Sequence, residues 1–458
     1  MAATAPKIEL DDLQGDILRA YGNDYSCTSY AFVQVDGPPE RARRWFGGLV
    51  GHVTTAAPWT DGKPATTLNV AVTAAGLRAL GVSDAGFAPE FRAGMARRAD
   101  LLGDVGRSDP ARWEGGLGTG VAHVLLTINA RDTDERRRAL EKMRSALEAN
   151  GGLRIAHQED TALLGGAREH FGFADGFAQP AIEGSSDERA RGGGVPEEDG
   201  WRSLAPGEFV LGYPDEDTRE DPEQRLPDRP PGPLGRNATY MVWRKLAQDV
   251  ALWRRVIGRA AELYTEGDED KLAAKVVGRW ANGTPVAVHP DAPDPRFDAT
   301  APGANDFRYA DDPVGLRCPV GAHARRSNPR DGLGFQGALS FRHRLIRRGM
   351  PYGPALPPGA RADDGADRGL VFVSFQASIA RQFEAVQIQW LNDGNILGLG
   401  HDKDFLLGDR AATGKMTIQG DPPFFLSPQE EFVTTRGGEY LFVPGIRALA
   451  AIAEGTAG

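Results

Sequence analysis

The chain reads as an α+β protein in which antiparallel sheets are covered by helices. Two features predict this. A strand-like apolar run followed by a helix-patterned segment recurs four times, and extra strand-like runs lie between or after those units, which departs from the strict alternation of a parallel sheet. The length of 458 residues also allows one large domain built from a duplicated unit. In the first unit the run 30–35 leads into the helical pattern 40–49, and in the second 122–128 leads into 134–148. The third pairs 239–243 with 248–259, and the fourth pairs 369–375 with 379–391. Further strands are expected at 67–72, 208–211, 337–342 and 440–443.

Four units divide into two halves, and one split β-α-β arrangement in each half gives tandem (duplicated) ferredoxin-like sheets. The expected division is 1–182 for the N-terminal half, 183–236 for a connecting segment rich in Gly, Pro, Asp and Glu, and 237–458 for the C-terminal half. Proline removes backbone donors and the charges resist burial, so 183–236 is not one regular element. This segment and the loops 290–314 and 354–368 are either rims of a functional site or solvated surface.

Hydrophobic residues make up 41% of the chain and charged residues 25%, which excludes global disorder. The net charge of −10 argues against a nucleic-acid partner, because phosphate binding shows as a basic excess. Cys27 and Cys318 are too few for a disulfide framework or a structural zinc site, which points to a reducing compartment. No basic region followed by an apolar run opens the chain, and no run of about 18 apolar residues occurs in it. The expectation is a cytoplasmic protein with no membrane contact.

The most informative stretch is Glu169-His170-Phe171-Gly172-Phe173-Ala174-Asp175-Gly176-Phe177-Ala178-Gln179-Pro180. Phenylalanines ring Asp175, and an apolar setting raises a carboxylate's pKa, making it a candidate proton shuttle. Residues 318–331 place His323 among small residues with Arg325, Arg326 and Arg330 behind it. Alone, His323 is more often a hydrogen-bonded structural histidine. Acid, imidazole and arginines together point to a redox cofactor carrying carboxylates, as haem needs one axial imidazole and cations for its propionates. The basic cluster 342–348 is either a solvated edge strand or the source of one inward arginine, for which Leu345 and Ile346 beside Arg347 leave room. The glycine run 115–120 precedes a strand instead of following one, so it reads as a turn and not as a phosphate loop.

These segments resemble the dye-decolourising peroxidase family of haem enzymes. Residues 170–176 look like its G-x-x-D-G motif with the upstream His-Phe, and 321–331 like its proximal-histidine segment. Residues 347–353 are similar to the segment of the distal arginine, and 368–372 to the strand lining the distal pocket. The likeness extends to 12–18 and 435–440 and so covers nearly the whole chain, and the long insertions look closest to the larger, multi-loop branch.

The resemblance implies one haem b per chain, held in the C-terminal half with His323 as axial iron ligand. It implies oxidation of dyes, phenols or other aromatic reductants by hydrogen peroxide in one-electron steps. Asp175 would move the peroxide proton and Arg347 would stabilise the departing oxygen. Leu370 and Phe372 would roof the distal pocket, or are ordinary strand packing. Arg326 and Arg330 would meet the propionates, or form surface ion pairs. Asp393 is either the acid behind His323 or a turn residue at a helix end. Bulky dyes would be oxidised at the surface through Trp or Tyr. A haem-binding or haem-trafficking protein of the same fold, with incidental peroxidase activity, is the alternative. A homo-oligomer is compatible with either.

Overall fold

The structure is a computed structural model that describes residues 7–19, 21, 24–185, 191–198, 200–221, 225–407, 415–427 and 430–457. Its first half opens on strand β1 (Cys27–Val35), followed by helix α1 (Pro39–Val50) and β2 (Thr66–Val72). Strand β3 (Val124–Ala130), helix α2 (Thr133–Asn150) and β4 (Leu153–Ala162) complete it. The strands pair antiparallel in the order β4-β1-β3-β2, the arrangement of a ferredoxin-like unit.

The second half repeats the plan with longer insertions. Strand β5 (Thr239–Gln248) is followed by α3 (Val250–Ala261), and the short helix α4 (His323–Ser327) sits in the insertion that follows. Next come β6 (Ile346–Arg347), β7 (Met350–Tyr352) and β8 (Gly369–Gln376). Two wide-turned helical segments, Ile379–Glu384 and Val386–Leu391, lead to β9 (Val433–Val443) and α5 (Ile446–Glu454). The strand order is β9-β5-β8-β6, with β7 also on β8, and Phe442 opposite Val72 joins the halves into one nine-stranded sheet. The expected α+β architecture with duplicated antiparallel sheets is therefore present.

Strand periodicity decides where each side chain goes. Ala31, Val33 and Val35 of β1 pack with Trp45 and Phe46 of α1 on the outer face of the first sheet. Tyr30 and Phe32 point the other way and meet Trp243 of β5 edge-on, closing the core between the two sheets. In the second sheet Met241, Trp243, Val371, Val373 and Phe375 face this inner core. Arg244, Leu246, Gln248, Leu370 and Phe372 therefore face outward, onto a cavity. A bulge between Thr435 and Gly437 shifts the register of β9. Val433 and Thr435 also reach that cavity, while Leu441 and Val443 reach the inner core.

Two expected strands are absent. Residues 208–211 and 337–342 are instead bounded by the helical turns Pro206–Glu208, Phe335–Gly337 and Phe341–His343, which overlap their ends. Glu208 is fully buried, and Arg342 and Arg381 pair with its carboxylate, a buried-charge lock that needs a turn and not a ladder. Strand β4 escapes the sequence reading because it is an edge strand with polar residues at many positions, LRIAHQEDTA. Among the described residues no helix is long and apolar enough to cross a membrane.

Candidate active site

The loop 169–180 is held by two side chains that act on backbone. Glu169 accepts hydrogen bonds from the Phe171 and Phe173 N–H groups, both at 2.9 Å, and from Gln248 Nε2 at 2.8 Å, which ties the loop to β5. Gln179 behaves like an added strand against β6. Its Oε1 accepts from the Arg347 N–H at 3.0 Å and its Nε2 donates to the Arg347 carbonyl at 3.0 Å. Together they bring Arg347 Nη1 to 3.0 Å from Asp175 Oδ1 on the cavity wall.

The Asp175 side chain is 43% exposed, but onto this cavity, so the pair differs from a solvated surface ion pair. Burial alone raises the Asp175 carboxyl. The Arg347 charge, the Gly176 N–H and the charge of His323 outweigh that, and the net position is below the ordinary carboxylate range. This corrects the expectation of a raised pKa: a guanidinium in contact overrides the apolar ring of phenylalanines. The consequence is a carboxylate that stays ionised, a ready proton acceptor. Replacing Arg347 by Leu leaves burial dominant, so the acid limb of the reaction rate with peroxide is expected to move to higher pH by about 1–3 units. An acid limb at the wild-type position, measured by stopped-flow between pH 3 and 7, would contradict the pairing.

His323 opens α4 and lines the same cavity. Its Nδ1 lies 2.9 Å from Asp404 Oδ2. Burial opposes ionisation of Asp404, but the charge and hydrogen bond of His323, Arg326 and the Leu407 N–H hold it below the ordinary range. A carboxylate accepts only, so the shared proton belongs to Nδ1; the Asp404 charge and hydrogen bond raise the imidazole pKa against burial, and in the neutral form Nε2 keeps its lone pair. The acid behind His323 is thus Asp404 and not Asp393. Asp393 Oδ1 instead accepts from the Asn395 N–H at 2.9 Å, the turn role.

The arginine expectations divide in the same way. Arg326 is fully buried and does not line the cavity; it donates to the carbonyls of Trp390 at 2.6 Å and Asp402 at 2.5 Å. It satisfies the Trp390 carbonyl at the end of the segment Val386–Leu391, where a helix leaves carbonyls unpaired, and ties it to the loop at Asp402. Arg330 does line the cavity, stacked 3.8 Å over the Phe307 ring. It is joined there by Arg279 and Arg344, which the sequence reading missed. Arg344 Nε and Nη2 are buried without a hydrogen-bond partner among the described residues, and Asp331 acts on Arg330 and Arg344 only through its charge. Burial, and for Arg279 and Arg330 a neighbouring arginine, lowers each to about 10. Three cations on one cavity wall, two guanidinium atoms of Arg344 among them unpartnered, make a seat for an anion. Arg344 carried one signal, its place in the basic cluster 342–348; Asp404 carried none.

Leu370 and Phe372 reach the cavity from β8, and Phe372 rests against Phe383 with ring centroids 6.1 Å apart. An ionised acid held by an arginine, a histidine backed by a buried aspartate and an apolar wall are the equipment of a redox enzyme that must move a proton away from water. The class is that of the peroxidases.

Residues 12–152 match the DyP dimeric alpha+beta barrel domain family. The chain is 30% identical to dye-decolorizing peroxidase msp1 of Mycetinis scorodonius, across 98% of this chain and 89% of that protein. It is also 30% identical to the multifunctional dye peroxidase DyP2 of an Amycolatopsis species, across 97% and 96%. Among solved structures, an ancestral D-type dye-decolorizing peroxidase superposes with a TM-score of 0.82 at 27% identity, covering 97% of this chain and 99% of that one. A dye-decolorizing peroxidase in complex with 2,6-dimethoxyphenol gives 0.80 at 25% identity, covering 97% and 100%. The chain belongs to the dye-decolorizing peroxidase family, in its larger, multi-loop D-type branch. One solved dye-decolorizing peroxidase of the same fold, 24% identical with a TM-score of 0.81, has an engineered heme pocket.

Proposed function

We propose that this chain binds one haem b in the cavity beside α4 and uses hydrogen peroxide to oxidise dyes, phenols and other aromatic reductants in one-electron steps. The observation that carries this reading is the convergence on one cavity of His323 with its aspartate and the pair Asp175–Arg347. The residues fit the group. His323 Nε2 has the lone pair an axial ligand needs, the orphaned guanidinium atoms of Arg344 call for an anion, and Arg279 and Arg330 add charge for two propionates. Leu370, Phe372 and Leu246 offer an apolar surface to a flat ring.

When bound, haem supplies an iron centre at which peroxide is reduced and whose oxidising equivalents are returned to donors one electron at a time. The chain's own part is proton handling and orientation. Asp175, ionised by its contact with Arg347, would take a proton from hydrogen peroxide and return it to the leaving oxygen as water. Arg347 faces the same space with a charge that stabilises the departing oxygen. Asp404 keeps His323 in the ligating tautomer and raises its donor strength. Leu370 and Phe372, on the wall of the same cavity, would restrict it to small oxidants. Carriage of haem would need the histidine but no proton shuttle, so the Asp175–Arg347 pair supports the enzyme. Cys27 and Cys318 are both buried free thiols, which supports a reducing, cytoplasmic setting.

The test is an absorption spectrum of the chain supplied with haem. A Soret band that is present in the wild type and shifted or lost in His323→Ala is expected. A band indifferent to His323 would overturn the assignment of the axial ligand.

A further inference from the structure

The segment 12–18, with its Gly15-Asp16 pair, takes no part in the cofactor cavity, yet it reaches the distal side from behind. A second cavity of about 950 Å³ shares Asp175 and Arg347 with the first and extends to the inner face of the second sheet at Met241, Val373 and Phe375. Asp16 and Tyr21 also line it, and both are buried. Asp16 Oδ1 and Tyr21 Oη have no hydrogen-bond partner among the described residues. Buried polar atoms are seldom left bare, and a roomy cavity that presents several of them takes water. Gly15 is required here: a Cβ would fall 2.2 Å from Tyr21 Oη and 2.6 Å from the Thr55 carbonyl.

One guanidinium joins this segment to the distal pair. Arg348 donates to the carbonyls of Asp16 and Ile17, both at 3.1 Å, and to the Arg347 carbonyl at 3.0 Å. The groups facing Asp16 are Tyr21, Tyr30 and Arg348, with Arg19 beside Tyr21. Burial outweighs the Arg348 charge and raises the Asp16 carboxyl to about 7. Two carboxyl groups on one cavity are thus driven in opposite directions, Asp175 toward the ionised form and Asp16 toward the acid. Such divergence separates a base from an acid. Asp175 holds a proton poorly at neutral pH, while Asp16 is able to store one.

We propose that Asp16 is the proton reservoir of the distal site, delivering protons to Asp175 through water in this cavity. The inference rests on the peroxidase reading above. Reduction of hydrogen peroxide to two waters takes two electrons from the donor and two protons from solution. Ferrocyanide gives electrons and no protons, so both protons must arrive through the protein.

The experiment compares haem-loaded wild type with Asp16→Asn. The first spectral change on mixing with peroxide uses the peroxide's own proton and is expected to be unchanged. Turnover with ferrocyanide is expected to fall about tenfold below pH 7, and the wild-type decline as pH rises through about 7 is expected to vanish. Equal ferrocyanide turnover and an equal pH profile would overturn the proposal. Failure of the first step in wild type would instead sink the peroxidase reading. Infrared difference spectra of the wild type, with and without haem, supply a readout that needs no variant. They should show a carboxylic acid band that titrates near neutrality, and its absence overturns the proposal even if Asp16→Asn does not fold.

Discussion

Asp175→Asn is expected to slow the reaction with hydrogen peroxide by about 10²–10⁴-fold, the range that a positioned acid–base group contributes. The substitution keeps the shape of the side chain, and its Oδ1 still accepts from Arg347 Nη1, so the wall of the cavity is preserved. The loss is the basic oxygen and the negative charge. Haem content is expected to be unchanged, because His323 and Asp404 stand on other elements. Stopped-flow recording of the Soret change at several peroxide concentrations gives the rate constant directly. A variant that reacts at the wild-type rate would remove Asp175 from the mechanism and leave Arg347 alone on the distal side.

Asp404→Asn has the second large expected effect, and its direction follows from three hydrogen bonds. Asp404 Oδ1 accepts from the N–H groups of Leu406 at 3.0 Å and Leu407 at 2.7 Å, while Oδ2 faces His323 Nδ1. In the variant those two donors retain the amide oxygen, and the amide NH₂ then confronts Nδ1. The imidazole must move its proton to Nε2, which removes the lone pair needed for ligation. Haem affinity, or the peroxide rate of whatever remains loaded, is expected to fall about 10–100-fold. Asp393→Asn is expected to leave both at wild-type values, since among the described residues that carboxylate accepts from the Asn395 N–H alone. Titration of each chain with haem, followed at the Soret band, separates the two acids. A larger loss in Asp393→Asn than in Asp404→Asn would reverse the assignment made from the geometry.

Much of the molecule is legible before any coordinates. The recurring strand–helix units place β1, β3, β5 and β8 and the helices that follow them, because apolar periodicity is a local property of the chain. Asp175, His323 and Arg347 stand out because each sits in a short motif with its own neighbours. Strand β4 does not, since an edge strand exposes polar residues and loses its alternation. The segments 208–211 and 337–342 look like strands but are turned by contacts distant in sequence, such as the pairing of Glu208 with Arg342 and Arg381.

The α+β class, the duplicated plan and the motifs that carry Asp175, His323 and Arg347 can be read from residue order alone. Long-range packing sets the rest: Asp404 backs His323, Arg326 is spent on carbonyls while Arg279, Arg330 and Arg344 face the cavity, and Arg347 lowers Asp175 against its apolar surroundings. The physical reason is common to all of these. A motif reports which groups a segment carries, but a carboxylate's pKa, a guanidinium's partner and a histidine's tautomer depend on charges and donors brought within a few ångströms by other segments.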